Sequence, residues 1–592
     1  MKFVKAKEKV SKADAFGKSI NKVKNFVVFA YLFCMLGIFP LYYKEQYYAI
    51  GDAKFEFFWN ISLSFIGIYA IIFLIKRVLC VLVKDNDAKV RLDESVTAGN
   101  SLIGFLDNLS FLDYVVLVYG ICVLLSYAFS DFKSYAFKGA AGWTMGLCTQ
   151  MIFIAVYYIL SRQEKLFGTI KLGKVKEKYQ TLAKLVIGIH LISSALTFLF
   201  GILHRFEIDP LGMYVGLELY QKIEFLSTIG QATWFSGYVC SVFTVGVTLF
   251  YISEQKWLRT LTGIYSVISF GILVTQNSDS AFIAVAGIML LLGYFSLSDI
   301  RKWCRFWQIM TLMWGTFAGI GVLQRVFADR AVPLDSLSVF FSQSAVTWVM
   351  FSVSVIVMLF YSNCYKKRMS EKHMQNSKKN TELTDNHKVK EDNIMAITKA
   401  IYKGIVFLVA AVVILTIIFI YLNTKGYLLQ WFDYQSTHNY LLFDGHWGSN
   451  RGSTWMICWQ AFMKMPFYQK LFGVGPDSVS AYLYNVPEIR DLLYSLWGNM
   501  RLTNAHNEYL NSLLCYGVVG VTAWLAVLIG GIRYFYNSAK NNSFMIAFAL
   551  CIMGYACHNI FCYQQVCATP FLFIALGIGE SLTKSENFNT IK

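Results

Sequence analysis

Residues 401–422 read IYKGIVFLVAAVVILTIIFIYL. One charge, Lys403, stands near the start, and apolar side chains then continue to the end of the run. A helix of about 20 such residues crosses the hydrocarbon of a bilayer, whereas a barrel strand would alternate apolar and polar positions over about 10. Comparable runs occupy 26–43, 57–76, 113–130, 140–161, 183–203, 231–252, 257–275, 280–297, 304–324, 339–361, 509–533, 543–560 and 565–582. Hydrophobic residues make up 56% of the 592 and charged residues 15%, with a mean hydropathy of +0.48. That is too little charge to cover a soluble surface. The expected fold is an all-α polytopic membrane protein of about 14 transmembrane helices, with one large, mostly helical extracytoplasmic loop.

The formal charge of +17 sits between the spans, so it reads as topology and lipid contact rather than nucleic-acid binding. With the Lys-rich arm 1–25 placed inside, every second loop is basic. These loops carry Lys76, Arg77, Lys84, Lys89 and Arg91; Arg162, Lys165, Lys171, Lys174, Lys176 and Lys178; Lys256 and Arg259; Arg301, Lys302 and Arg305; Lys366 to Lys390; and Arg533 with Lys540. The loops between them are poor in Lys and Arg and hold acids such as Asp131, Glu207, Asp209 and Asp335. The alternation predicts a cytoplasmic-membrane protein with both termini inside, the tail being 583–592, and without a cleavable signal peptide. Ten spans fill 26–361. A charged cytoplasmic linker at 362–400, expected to be disordered, separates them from span eleven at 401–422. Residues 423–508 are then outside, and three spans fill 509–582. The scattered cysteines, among them Cys34, Cys122, Cys148, Cys240 and Cys551, show no metal-ligand spacing and read as buried thiols.

The outer segment 423–508 concentrates the polar chemistry. From Asp444 it reads DGHWGSNRGSTWMICWQAFMKMPFYQKLFGVGPDSV, and NAHNEYL follows at 504–510. Trp455, Trp459, Phe462 and Met463 recur at helical spacing, which predicts an amphipathic helix from Arg451 capped by Ser449 or Asn450. Arg451 then reads as an anion-holding residue in the first turn, or as an interfacial anchor. Gly473, Gly475 and Pro476 predict a tight turn, which by itself needs no ligand. Thr503 or Asn504 is expected to cap a helix leading into span twelve, with His506 in its first turn beside Tyr509, Leu510 and Leu513. A helix start favours a nearby phosphate and disfavours imidazolium, which leaves His506 neutral and able to accept a proton; Glu508 pulls the other way.

An arginine ahead of a Trp-containing helix, a P…GVGP turn, and AHNEYL followed by two glycines together resemble the O-antigen ligase and polymerase superfamily of bacterial membrane glycosyltransferases. The matching residues are Arg451, Trp455, Pro466, Gly473, Gly475, Pro476, His506, Asn507, Tyr509, Leu510, Gly517 and Gly520, within roughly 445–525. The resemblance implies a GT-C-like architecture. It implies transfer of a glycan from an undecaprenyl diphosphate carrier at the outer leaflet to an acceptor glycan or glycolipid, with no metal, nucleotide sugar or other cofactor. Arg451 would hold the diphosphate and His506 would activate the acceptor hydroxyl. Trp455, Gly473, Gly475, Asn507, Glu508 and Tyr509 would contact substrate.

One departure stands out. In LVTQNSDSAF, 273–282, Asp279 occupies the place where many relatives have an arginine of a Ser-Arg-Gly element. Asp279 then reads as a sugar or cation ligand, or as a helix cap. Arg205, Arg325, Arg330, Arg490 and Arg501 are the outer-side residues available to replace the missing cation. The competing function is a polysaccharide flippase or another transporter of lipid-linked glycan. Such a protein would distribute charged, cavity-lining residues among its spans, whereas this chain keeps its spans poor in charge and concentrates its polar chemistry in one loop.

Overall fold

The computed structural model describes residues 2–82, 109–163, 166, 178–377 and 382–590. Ten of its helices are long and apolar enough to cross a membrane, from Phe16–Ile38 to Glu508–Ser538. Three shorter apolar helices, Leu147–Leu160, Ser280–Ser296 and Met545–His558, and the helix Thr569–Thr590 lie on the remaining expected spans. The only strands among the described residues are the two-residue pair Phe225–Leu226 and Gly230–Gln231. The chain is an all-α polytopic membrane protein.

The span Ala232–Ile252 is enclosed by its neighbours, whereas Asn393–Thr424 has none of its apolar window buried. Phe407 on that helix is 76% exposed, and Leu408, Ile414, Leu415 and Ile417 are bare as well. Only a hydrocarbon solvent can cover a helix that is apolar on every side.

At one end of the bundle, Asp113 gathers three helices. Ser110 and Asp113 form a capping box at the start of Phe111–Phe129. The fully buried Asp113 carboxylate also pairs with Arg162 at 2.6 Å and Lys584 at 2.7 Å, and accepts from Tyr157 at 2.9 Å. Lys584 in turn reaches Glu580 at 3.1 Å. Removing one member would leave the other charges buried and uncompensated.

The linker expectation is corrected. Helices Ala345–Ser377 and Glu382–Thr424 run through 362–400 on both sides of 378–381. Lys, Glu, Gln and Met are good helix formers, and they prolong the two flanking spans. Lys84, Lys89, Arg91, Lys165, Lys171, Lys174, Lys176, Lys378 and Lys379, used in the charge alternation, lie outside the described residues.

The helix Glu508–Ser538 breaks at Gly517, whose φ is +68°. The break frees two carbonyls of the preceding turn, and other segments pair with them. Val474 N–H donates to Leu514 O at 3.0 Å and Gly475 N–H to Cys515 O at 3.1 Å. Ser126 Oγ also donates to Cys515 O, at 2.5 Å, and Ser130 Oγ holds Val474 O at 2.6 Å. The GVGP turn is therefore inserted into a helix break, and its backbone pairs with that of the broken span.

Candidate functional site

The segment 423–508 folds back over the ends of several spans. Asn423 starts the fold. Its Nδ2 donates to Ser436 O and Leu441 O, each at 2.8 Å, and its Oδ1 accepts from Ser436 N–H at 3.0 Å. The strap this makes carries Tyr440 to Asp279, whose Oδ2 accepts the phenol proton. Trp447 Nε1 donates to Tyr440 O at 3.2 Å. Thus Asp279, far upstream, joins the same neighbourhood as Arg451.

The helix Trp447–Lys464 does not start as predicted. Gly448, Ser449 and Asn450 are all left-handed, with φ of +56°, +61° and +66°. Neither Ser449 nor Asn450 caps it; the chain instead makes a left-handed kink just ahead of Arg451. Such residues cost about 1–2 kcal/mol each when not glycine, so the surrounding contacts must impose the shape. Gly452 allows one of those contacts, since a Cβ there would come within 1.9 Å of Asp444 O.

Arg451 emerges largely buried. Nη1 donates to Gly448 O at 3.1 Å, and the guanidinium lies 5.6 Å from the centre of the Phe561 ring. Nε has no partner, and among the described residues Arg451 makes no ion pair. Burial pulls its pKa down, while Cys562, Tyr440 and Asp279 act in the opposite sense. Trp455, one turn on, packs near-parallel to Phe561 at 5.8 Å and lies 5.2 Å from Trp447.

His506 also departs from expectation. The helix start is capped by Asn507, whose Oδ1 accepts from Leu510 N–H at 2.9 Å. His506 precedes that cap with φ of +47°, rather than occupying the first turn. Its N–H donates to Asn504 Oδ1 at 2.9 Å, and its ring meets Tyr563 edge-on at 5.4 Å. Among the described residues its ring nitrogens make no hydrogen bond. Burial first, and the Arg451 charge second, push its pKa down to about 4. Neutrality thus comes from burial and the arginine, and the Glu508 carboxylate does not oppose it.

Glu508 is buried in a different direction. Asn559 Nδ2 donates to its Oε2, while Gln564 Nε2 and Tyr555 Oη reach Oε1 at 3.2 and 3.3 Å. The Glu508 N–H donates to Asn559 O at 3.0 Å. Asn559 Oδ1 lies 2.9 Å from His558 Nδ1, and His558 Nε2 lies 2.7 Å from Ser236 Oγ. Behind Gln564, Gln150 and Tyr119 continue the network. A small polar cavity, with room for about one water molecule, is lined by Asp477, Asn504, Glu508, Asn511, Tyr563 and Gln564. Asp477 Oδ2 accepts from Ala140 N–H at 2.7 Å and Met145 N–H at 3.0 Å. Burial lifts its pKa to about 7.

The structure therefore groups Arg451, Trp455, Asp279 and His506, and gives the other candidates different surroundings. Gly473 and Gly475 sit in the helix-break splice. Tyr509 Oη donates to Ala556 O at 2.6 Å. Arg205 is fully buried and donates to the carbonyls of Thr275, Gln276, Lys222 and Ile223, which ties it to backbone. Arg490 pairs with Asp491 at the surface. Arg501 Nε donates to Ser480 Oγ at 2.9 Å and its guanidinium lies over Tyr484. Arg325 donates to Gln343 O at 2.6 Å. Tyr440, Phe561, Asn559 and Tyr563 touch the candidate residues and were not singled out by the sequence. The one signal for the last three was the polar run HNIFCYQQ, 558–565, between two apolar helices.

Residues 331–525 match a protein-family model described as O-Antigen ligase. No curated protein matches the chain, and no solved structure does.

Proposed function

We propose, from a chain whose residues 331–525 carry an O-antigen ligase domain, that the protein is an outer-leaflet glycosyltransferase in surface-polysaccharide assembly. Its donor would be an oligosaccharide on undecaprenyl diphosphate, and its acceptor another glycan or glycolipid. The observation that carries this reading is one pairing. Arg451 is a largely buried cation with no ion pair among the described residues, and its charge reaches His506, which burial keeps neutral. A buried cation without a counter-ion is costly. A diphosphate would supply the missing anion, and its two oxygens suit the guanidinium fork.

The chemistry follows from that pairing. The acceptor hydroxyl oxygen attacks the anomeric carbon of the donor sugar. The bond from that carbon to the diphosphate oxygen breaks, and the electron pair leaves with the polyprenyl diphosphate. His506 takes the hydroxyl proton at a ring nitrogen, within a segment fixed by Asn504 and Asn507. Arg451 opposes the negative charge that builds on the leaving oxygens. The outer segment 423–508 is the catalytic unit in this reading, held on the bundle by the GVGP splice.

The test is transfer by purified protein in lipid nanodiscs, with a lipid-linked oligosaccharide as donor. Arg451→Ala and His506→Ala should each abolish the product while the protein remains folded in the membrane. Unchanged product from both variants would overturn the assignment. Movement of the donor across vesicles by the intact protein, with no product formed, would favour the flippase.

A further inference from the structure

We propose that Asp279, together with Trp455, forms a subsite for the sugar attached directly to the diphosphate. Asp279 Oδ1 accepts a hydroxyl or amide N–H of that sugar and disfavours an acidic sugar there. The proposal rests on the reading of Arg451 as the residue that holds the diphosphate.

Three polar atoms in this neighbourhood are enclosed and have no partner among the described residues. Two are donors, Arg451 Nε and Trp455 Nε1, and one is an acceptor, Asp279 Oδ1. An enclosed polar atom without a partner costs about 1–3 kcal/mol. Three such atoms around one arginine are best explained by a ligand that completes them. Asp279 stands at the cap position of Ser280–Ser296, yet its side chain makes no cap hydrogen bond. Helix capping therefore does not account for it. Nor does charge pairing, because Asp279 is within electrostatic reach of Arg451 without forming an ion pair.

A phosphate satisfies the two donors but not Asp279, since carboxylate and phosphate repel. The missing group is a hydrogen-bond donor positioned next to the phosphate. The sugar bonded to the diphosphate presents one, either a hydroxyl or an amide N–H. The cluster of Trp447, Trp455 and Phe561 supplies the apolar surroundings that such a ring needs beside a few placed polar groups.

The backbone around Asp279 is also fixed in advance. Asn277 Nδ2 donates to Pro333 O at 3.0 Å, and Asn277 Oδ1 accepts from Asp335 N–H at 3.1 Å. Tyr440 occupies Oδ2, which leaves Oδ1 as the open acceptor. Asp335, close enough to Asp279 for their charges to interact, adds to a field that opposes an acidic sugar at this position.

The test measures binding to the full chain in nanodiscs with three probes: undecaprenyl diphosphate alone, the same carrier bearing one neutral hexose, and the carrier bearing one hexuronic acid. Wild type should bind the hexose carrier about tenfold more tightly than the bare one, the worth of one net hydrogen bond, and should discriminate against the uronic acid. Asp279→Ala should remove the tenfold gain, while bare-carrier affinity holds or rises because a carboxylate that repels phosphate is gone. Asp279→Asn, which keeps an acceptor and removes the charge, should retain the gain and lose the discrimination. An unchanged gain in Asp279→Ala overturns the subsite. If that variant does not fold, unchanged discrimination in Asp279→Asn overturns it. Separately, undiminished bare-carrier binding by Arg451→Ala would overturn the diphosphate reading beneath it.

Discussion

Gly517 lies against the backbone of Leu471 so closely that a Cβ would stand 2.2 Å from the Leu471 carbonyl oxygen. Gly473 has the reciprocal relationship with Cys515, where a Cβ would stand 2.0 Å from the carbonyl oxygen. Both glycines also have positive φ, +68° and +79°. The two breaks therefore fit together as one joint, and neither tolerates a side chain. Gly517→Ala and Gly473→Ala should lower the thermal midpoint of the purified protein by several degrees or prevent its accumulation. Arg451→Ala should leave the midpoint close to wild type. Detergent-solubilised thermal melts decide this; wild-type midpoints in both glycine variants would refute the joint.

Glu508 and Asn559 are linked through both backbone and side chain, which ties the His506 loop to the connection after Met545–His558. Glu508→Ala would leave Asn559 Nδ2 without its acceptor in the interior and take one bond each from Gln564 Nε2 and Tyr555 Oη, which keep Tyr119 and Thr569. At about 1–3 kcal/mol for the stranded group and about 1 kcal/mol for each further bond lost, the loss is several kcal/mol. Glu508→Gln keeps one acceptor and should recover part of the stability. If Glu508 only contacts substrate, both variants will melt like wild type and differ in KM alone.

Legibility followed the physics of each signal. Spans such as 401–422 were plain because the bilayer imposes a length and an apolar composition on contiguous residues. Arg451 and His506 stand out as candidates because unusual residue types sit in one dense segment and together resemble a family pattern. What escaped was everything decided by long-range contact. Tyr440 finding Asp279 and Phe561 lying under Arg451 join positions far apart in the chain, and no local period records them. The start of the 508–538 helix was misplaced because Thr503, Asn504 and Asn507 are all competent caps, and tertiary pairing of Glu508 with Asn559 selects the last. The linker was misread because charged residues suit a solvated helix as well as a coil.

The pH profile of transfer should report the environment of His506. An unperturbed histidine would switch near 6.5. Burial and Arg451 hold His506 near 4, so the neutral, proton-accepting form persists throughout the neutral range. The value of kcat/KM, which reflects the free enzyme, should stay flat as pH falls to about 5 and drop only as pH passes through about 4. Arg451→Lys keeps the charge and should leave that inflection in place. Arg451→Gln removes it and should move the inflection upward, read from whatever rate persists. An inflection near 6.5 in wild type would place His506 in water and remove the basis for its role.

Asp477 gives a second, independent pH signature, in stability rather than rate. Its carboxyl is fully enclosed beneath the GVGP turn and receives two backbone N–H groups from the 140–145 loop. Burial outweighs those bonds and raises its pKa to about 7, against about 3.9 in an unfolded chain. The folded state thus holds a proton that the unfolded state has released between those values. Its stabilising contribution is complete below about pH 4 and is lost progressively as pH rises to about 7. Asp477→Asn cannot lose a proton and retains an oxygen for Ala140 and Met145. Melts from pH 4 to 7 should therefore show a smaller decline with rising pH in Asp477→Asn than in wild type. Asp477→Ala should be less stable at every pH, because both N–H groups lose their partner. Parallel curves for wild type and Asp477→Asn would mean that Asp477 is ionised throughout this range.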